Sequence, residues 1–130
     1  MTVKKANNFQ RIRELPLQKQ FILAATLVQR MLPNYQLFSE ATQFGDVHVL
    51  QSALAIMWER IVSRKVKVDF EKQIEKVDPC VPELNDFDMV GVYPAIDTAT
   101  ALISLIQGVE EEDTKYLVDV SKISQASVSK

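Results

Sequence analysis

The residues of this sequence that are best suited to chemistry are four carboxylic acids in the segment 83–97. They are Glu83, Asp86, Asp88 and Asp97. Carboxylate oxygens are the ligands that hard divalent cations prefer, so a group of this kind could bind a metal ion. The spacing matches no calcium-binding loop, and spacing alone does not make the acids converge. A solvated acidic loop, with Asp88 and Asp97 hydrogen-bonded to backbone N–H groups, is the simpler interpretation.

Two further residues complete the candidate site. Tyr93 lies between the acids, and Glu59 follows Trp58 in an apolar segment, where its carboxylate could point inward. The candidate ligand-binding residues are therefore Asp86, Asp88, Tyr93, Asp97 and Glu59, and no catalytic residue is assigned. Asp97 has a second explanation, because a negative charge in the first turn of a helix is favoured by the helix macrodipole.

Several common sites are excluded by composition. With three isolated glycines, neither a phosphate-binding loop nor a dinucleotide fingerprint is present. His48 is the single histidine, which rules out the paired Glu-x-x-His motifs of di-iron bundles. Cys80 is the single cysteine and has no basic neighbour to activate it, so we expect an inert thiol. The sequence therefore predicts no cofactor and gives no metal ligand set.

The elements that position these residues are predicted to be helices. Apolar residues recur at helical spacing along most of the chain, and glycine and proline are few. We expect an all-α fold, a compact bundle of about six helices with no sheet, forming one helical domain over residues 1–130. The segment 79–93 has no periodicity and is predicted to be a loop, and loops of that length are more often functional than short ones.

Prolines, glycine and acids predict where the helices begin and end. Pro16 and Pro33 are each expected to open a helix, since proline fits the first helical turn. Gly45 is expected to be a left-handed C-terminal cap, followed by Asp46 as the N-cap of a helix over about 47–63, and Asp69 is expected to cap another. Pro94 is expected to open the central helix, which leaves Tyr93 extended and Asp97 in the first turn.

Two motifs resemble a known family. One contains Asp86, Phe87, Asp88, Gly91, Val92, Tyr93, Pro94, Ala95 and Asp97, and the other contains Pro33, Asn34, Tyr35, Phe38, Thr42, Phe44, Gly45 and Asp46. Together they resemble the YjaG-like family of bacterial proteins, which is classed as a domain of unknown function. The resemblance implies an all-helical cytoplasmic protein with no assigned activity. It also implies that relatives continue past the position of Lys130, so a C-terminal extension is expected to be lacking here.

Charge is distributed unevenly along the chain. Residues 1–30 carry six basic residues and one acid, whereas residues 77–114 carry nine acids and no lysine or arginine. An acidic half of this kind repels phosphate backbones, so nucleic acid binding is not supported. No apolar run of 18 residues and no apolar signal core is present, which favours a cytoplasmic protein that does not enter a membrane.

Two hypotheses of function follow. The first is a non-catalytic helical interaction or regulatory module that acts as an oligomer. We expect a homodimer because the last helix carries an apolar stripe of Tyr116, Leu117, Val120 and Ile123 that must be covered. The second is a small-ligand or divalent-metal-dependent enzyme, with its site where the 79–93 loop meets the start of the following helix; its small-molecule ligand is unknown.

Overall fold

Apolar stripes along the chain fold into six α-helices. The computed structural model describes the backbone of residues 3–129 and the side chains of residues 9–127. The helices are α1 (Val3–Glu14), α2 (Leu17–Thr42), α3 (Val47–Val62), α4 (Phe70–Val77), α5 (Val92–Glu111) and α6 (Thr114–Ser129). Short 3₁₀ turns lie at Asp78–Cys80 and Leu84–Asp86, and the described residues form no β-strand. The predicted all-α bundle of about six helices is confirmed.

Helix α5 is the centre of the bundle and contacts α2, α3, α4 and α6. Its residues Ala99, Leu102, Leu105 and Ile106 are fully buried, and burial of each large one contributes roughly 1.5–3 kcal/mol. By length and composition α5 could also cross a membrane, but more than half of its most apolar window is buried by the rest of the protein. Packing in a core therefore accounts for its apolar character.

Helix α2 is longer than the sequence predicted. Pro33 was expected to open a new helix, yet Leu17–Thr42 is one helix of 26 residues with Pro33 inside it. Proline removes the hydrogen bond to the carbonyl of residue 29, normally a cost of about 3 kcal/mol. Because Pro33 and Gln29 both lie on the exposed side, water can replace that bond. The opposite side stays in the core on both sides of the proline through Met31 and Tyr35.

The caps between helices follow the prediction in part. Asp46 is the N-cap of α3, and its carboxylate accepts a hydrogen bond from the His48 backbone N–H at 2.9 Å. Asp69 caps α4 in the same way through Lys72 N–H at 3.1 Å. Gly45 is left-handed as expected, with φ +71°, but Gln43 is the residue that ends α2, with φ 61°. The assignment of that C-cap to Gly45 was wrong.

The start of α5 also differs from the prediction. The helix begins at Val92, two residues before Pro94, so Tyr93 is helical and not extended. Proline is tolerated there because a backbone N–H in the first turn has no partner inside the helix. The earlier start places Asp97 in the second turn, where the helix macrodipole acts more weakly than in the first.

Helix α6 covers its own apolar stripe. Leu117 and Val120 are buried, at 2% and 0% exposure, where α6 packs on α2 and α5. Tyr116 and Ile123 are partly buried. Helix α6 continues to Ser129, and Lys130 lies outside the described residues. Most of the stripe that suggested a homodimer is therefore satisfied within one chain.

Candidate functional site

The connection from α4 to α5 is held at its first end by Tyr35. This side chain is fully buried, and its hydroxyl donates a hydrogen bond to the Cys80 carbonyl at 2.7 Å. Gly45 gives the phenol the space it needs, because a Cβ atom there would overlap the hydroxyl oxygen. Burial and the neighbouring Cys80 raise the pKa of the Tyr35 phenol well above its usual range, so the hydroxyl stays protonated and remains a donor.

The second end of the connection is held by three aromatic rings. The ring centroids of Phe87 and Phe38 are 4.9 Å apart, those of Phe87 and Phe44 are 5.3 Å apart, and each pair meets edge to face. Such geometry is favourable beyond the area that it buries. Phe38 lies on α2 and Phe44 lies at the α2–α3 corner. The second end of the connection is therefore fixed to the same part of the fold as the first end, where Tyr35 binds the Cys80 carbonyl.

Between this anchor and α5 lies a surface groove of about 300 Å³. Its lining residues are Leu84, Phe87, Asp88, Met89, Val90, Val92 and Tyr93. Four of them are large apolar or aromatic side chains with much of their area exposed: Leu84 at 45%, Met89 at 40%, Val90 at 77% and Tyr93 at 43%. We call these four side chains and their groove the 84–93 surface.

The structure brings together only two of the five candidate residues. Asp88 and Tyr93 line the groove of the 84–93 surface. Asp86 is exposed in the 3₁₀ turn Leu84–Asp86, Asp97 is partly buried in α5, and Glu59 is exposed on α3. None of these three lines that groove. Among the residues with described side chains, no three of the His, Cys, Asp and Glu type are grouped so that they could hold a metal ion.

A second groove, of about 460 Å³, lies between α3 and α4 and was missed from the sequence. We call it the α3–α4 groove; its lining residues are Asp46, His48, Val49, Ser52, Ile56, Gln73 and Lys76. A smaller depression of about 270 Å³ adjoins it and also contains Asp46 and His48. The available signal was Gln73, an amide between Phe70, Ile74 and Val77 on the apolar stripe of α4.

The fold and these surfaces define an all-α bundle with two surface grooves. Residues 7–130 match the family described as "Protein of unknown function (DUF416)", and the chain belongs to that family. The family that the two motifs suggested is confirmed.

Its relatives include proteins named "Uncharacterized protein YjaG". The protein from Escherichia coli strain K12 is 37% identical over 120 residues, and that from Salmonella typhimurium is 35% identical over 120 residues. Each alignment covers 92% of this chain and 61% of the relative, so the chain spans about three fifths of their length. A crystal structure of a DUF416 family protein from Shewanella baltica superposes with a TM-score of 0.89 at 38% identity, over 92% of this chain and 62% of that one.

The two motifs that carry the resemblance meet at one place in the fold. Tyr35, Phe38, Phe44 and Gly45 come from the first motif, and Phe87 comes from the second. The contacts described above join these five residues into a single joint between α2, the α2–α3 corner and the connection to α5. This joint gives Tyr35, Phe38, Phe44 and Gly45 of the first motif and Phe87 of the second a structural role.

Proposed function

We propose that this chain is a non-catalytic helical interaction module and that the 84–93 surface is its contact site. The observation that carries the proposal is the exposure of Leu84, Met89, Val90 and Tyr93 around one groove. Single exposed apolar residues are ordinary on a protein surface, but several that adjoin one another mark an interaction site.

The rigidity of the connection supports this proposal. Tyr35 holds its start through the Cys80 carbonyl, and Phe38 and Phe44 hold Phe87. A surface that is already ordered loses little conformational entropy when a partner binds. The apolar side chains are thus presented by a segment that is irregular but firmly attached to the core.

Charge indicates the chemistry of the partner. Glu83, Asp86 and Asp88 are exposed beside the apolar side chains, and no lysine or arginine occurs between residues 77 and 114. A partner segment with an apolar side chain flanked by lysine or arginine would complement both features. Two copies of this surface in a two-fold contact would instead bring the same acids together, which is unfavourable.

The test uses two designed amphipathic peptides and an isotope-labelled protein. The peptides share their leucines, and one carries lysines where the other carries glutamates. We expect the lysine peptide to shift the amide NMR signals of residues 84–93. Val90→Ser should weaken its binding by roughly tenfold, since burying a valine is worth about 1.5 kcal/mol.

Val62→Ser is the matched control. Val62 is also a valine and is 80% exposed, but it lies at the end of α3 and does not line the groove. It should leave the affinity unchanged. Equal binding of both peptides, shifts outside the 84–93 surface, or equal effects of the two variants would contradict the proposal.

The oligomer and the location remain proposals as well. We propose a homodimer through the outer side of α6, supported by the partial exposure of Tyr116 and Ile123. Leu117 and Val120 are buried within one chain and are not available to a partner.

We also propose a cytoplasmic location, supported by the one free cysteine, Cys80.

A further inference from the structure

The α3–α4 groove combines a built apolar wall with polar groups from two helices. Val49, Ser52 and Ile56 lie on one side of α3, at the spacing i, i+3 and i+7, and Gln73 and Lys76 lie one turn apart on α4. Val49 and Ile56 are partly buried and pack against the core. The volume of about 460 Å³ is within the range of small-molecule sites. This groove is separate from the 84–93 surface and does not depend on the function proposed above.

Gln73 is the buried polar residue of this groove. Only 8% of the residue is exposed, and its side-chain amide makes no hydrogen bond to any residue that the structure describes. The amide atoms of Gln73 keep some access to water and are not buried unsatisfied atoms. A carboxamide offers two donors and one acceptor, and those of Gln73 are available to a ligand in the groove that it lines.

The groove also carries two opposite charges that do not neutralise each other. Asp46 and Lys76 both line it, and neither forms an ion pair with a described residue. One Asp46 oxygen caps α3 through the His48 N–H at 2.9 Å, which holds the carboxylate in position. The His48 ring is oriented by the Gln51 side chain at 3.1 Å. A ligand that contacts Asp46 and Lys76 together must therefore carry a positive and a negative group.

We propose that the α3–α4 groove binds a small zwitterion with an apolar side chain, that is, an aliphatic α-amino acid. Its ammonium group faces the Asp46 carboxylate. Its carboxylate faces the Lys76 ammonium and accepts from the Gln73 amide N–H. Its hydrocarbon side chain packs on Val49 and Ile56. Asp46, Gln73 and Lys76 then each have a partner of opposite character, and the apolar wall is covered.

The test compares three ligands that share one hydrocarbon. L-Leucine carries both charges, 4-methylpentanoate lacks the ammonium group, and 3-methylbutylamine lacks the carboxylate. Amide NMR spectra of the labelled protein are recorded with each ligand up to about 10 mM, the range of weak small-molecule binding. We expect leucine to shift the groove amides and the Gln73 side-chain NH₂ signals saturably. Each single-charge analogue should bind about fivefold more weakly, the scale of one exposed ion pair.

Variants on α4 distinguish binding of leucine in the groove from a general effect of surface charge on its affinity. Lys76→Gln should weaken leucine about fivefold. Lys72→Gln removes the same charge one turn away on the same side of α4, from a residue that does not line the groove, and should weaken leucine much less. Gln73→Leu removes the amide but keeps an apolar side chain of similar size, so it should fold and should weaken leucine while the spectrum stays dispersed.

Three results would overturn the proposal. They are the absence of saturable shifts at the groove, binding of 4-methylpentanoate as tightly as leucine, and unchanged leucine affinity in Lys76→Gln. The surface variant Lys76→Gln keeps the proposal testable even where Gln73→Leu fails to fold.

Discussion

Gly45→Ala should be the most informative single substitution in this chain. The backbone at Gly45 has φ +71°, which costs an L-residue about 1–2 kcal/mol. The added methyl group would also overlap the Tyr35 hydroxyl oxygen, so the ring must move away from the Cys80 carbonyl. Loss of a buried hydrogen bond costs about 1–3 kcal/mol. We therefore expect Gly45→Ala to lower the free energy of unfolding by about 2–5 kcal/mol.

The same argument predicts how Gly45→Ala combines with Tyr35→Phe. Tyr35→Phe alone leaves the Cys80 carbonyl without its donor and should cost about 1–3 kcal/mol. Once the hydroxyl is absent, the nearest ring atom to the new methyl group is Cζ at 3.1 Å, which needs only a small adjustment. Gly45→Ala in this background should then cost little more than the backbone strain. The double variant should be more stable than additivity predicts by about 1–3 kcal/mol.

Urea denaturation of the four proteins measures this coupling directly. Gly91→Ala is the control, because Gly91 has an ordinary helical backbone and its added methyl group would only touch Met89 at 3.4 Å. It should be neutral or stabilising by up to about 1 kcal/mol. Additive effects of Tyr35→Phe and Gly45→Ala, to within about 0.5 kcal/mol, would refute the proposed contact between the two residues.

Changes at Tyr35, Asp46 and Ile123 should each have a measurable effect. The pKa of Tyr35 is raised in the folded state, so the protonated phenol contributes fully to folding stability below the unfolded pKa of about 10, and this contribution is lost as pH rises above that value. Between pH 8 and pH 11 the urea midpoint should therefore fall more for the native protein than for Tyr35→Phe. Asp46→Ala should reduce stability by about 0.5–2 kcal/mol through loss of the α3 cap, whereas Asp46→Asn should retain most of it, as the same denaturation assay will show. Light scattering should give twice 14.8 kDa for the native chain and 14.8 kDa for Ile123→Glu, and a native monomer would contradict the proposed homodimer.

The sequence was sufficient for the class of fold and for most of the helices. Long apolar periodicities such as those of α3 and α5 arise because the buried positions of a helix are occupied by apolar residues, so the sequence shows which side of the helix is buried. Asp46 and Asp69 were predictable as caps because an N-cap acts within three residues of its own position. These features depend on local spacing, which a sequence displays directly.

The errors arose where a tertiary contact outweighed a local rule. Pro33 was expected to divide α2, yet the stripe that contains Met31 and Tyr35 runs past it into the same core. Tyr93 was expected to be extended before Pro94, yet α5 begins at Val92 and includes both residues. For Pro33 the core on one side of the helix compensates for the proline on the other side, whereas Pro94 lies in the first turn, where its missing N–H has no helical partner.

The candidate site was predictable only in part. The 79–93 connection was recognised as unusual, and Asp88 and Tyr93 do share a groove within it. Glu59 lies on α3 and does not join them, because its direction depends on the rotation of that helix in the bundle. The α3–α4 groove was missed for a similar reason. It forms between residues about 25 positions apart, and no spacing rule links Val49 to Gln73.

The unbroken course of α2 has a consequence for how this sequence can change in length. Each residue of an α-helix advances the side-chain direction by about 100°. One residue inserted after Met31 would rotate both Tyr35 and Phe38 away from the corner that contains Gly45, and the connection to α5 would lose both of its attachments together. A helix divided at Pro33 could absorb such a change at its break. The continuous helix cannot, so its residue count must be kept, whereas the link between α3 and α4 lies outside the helices and should tolerate a change of length better.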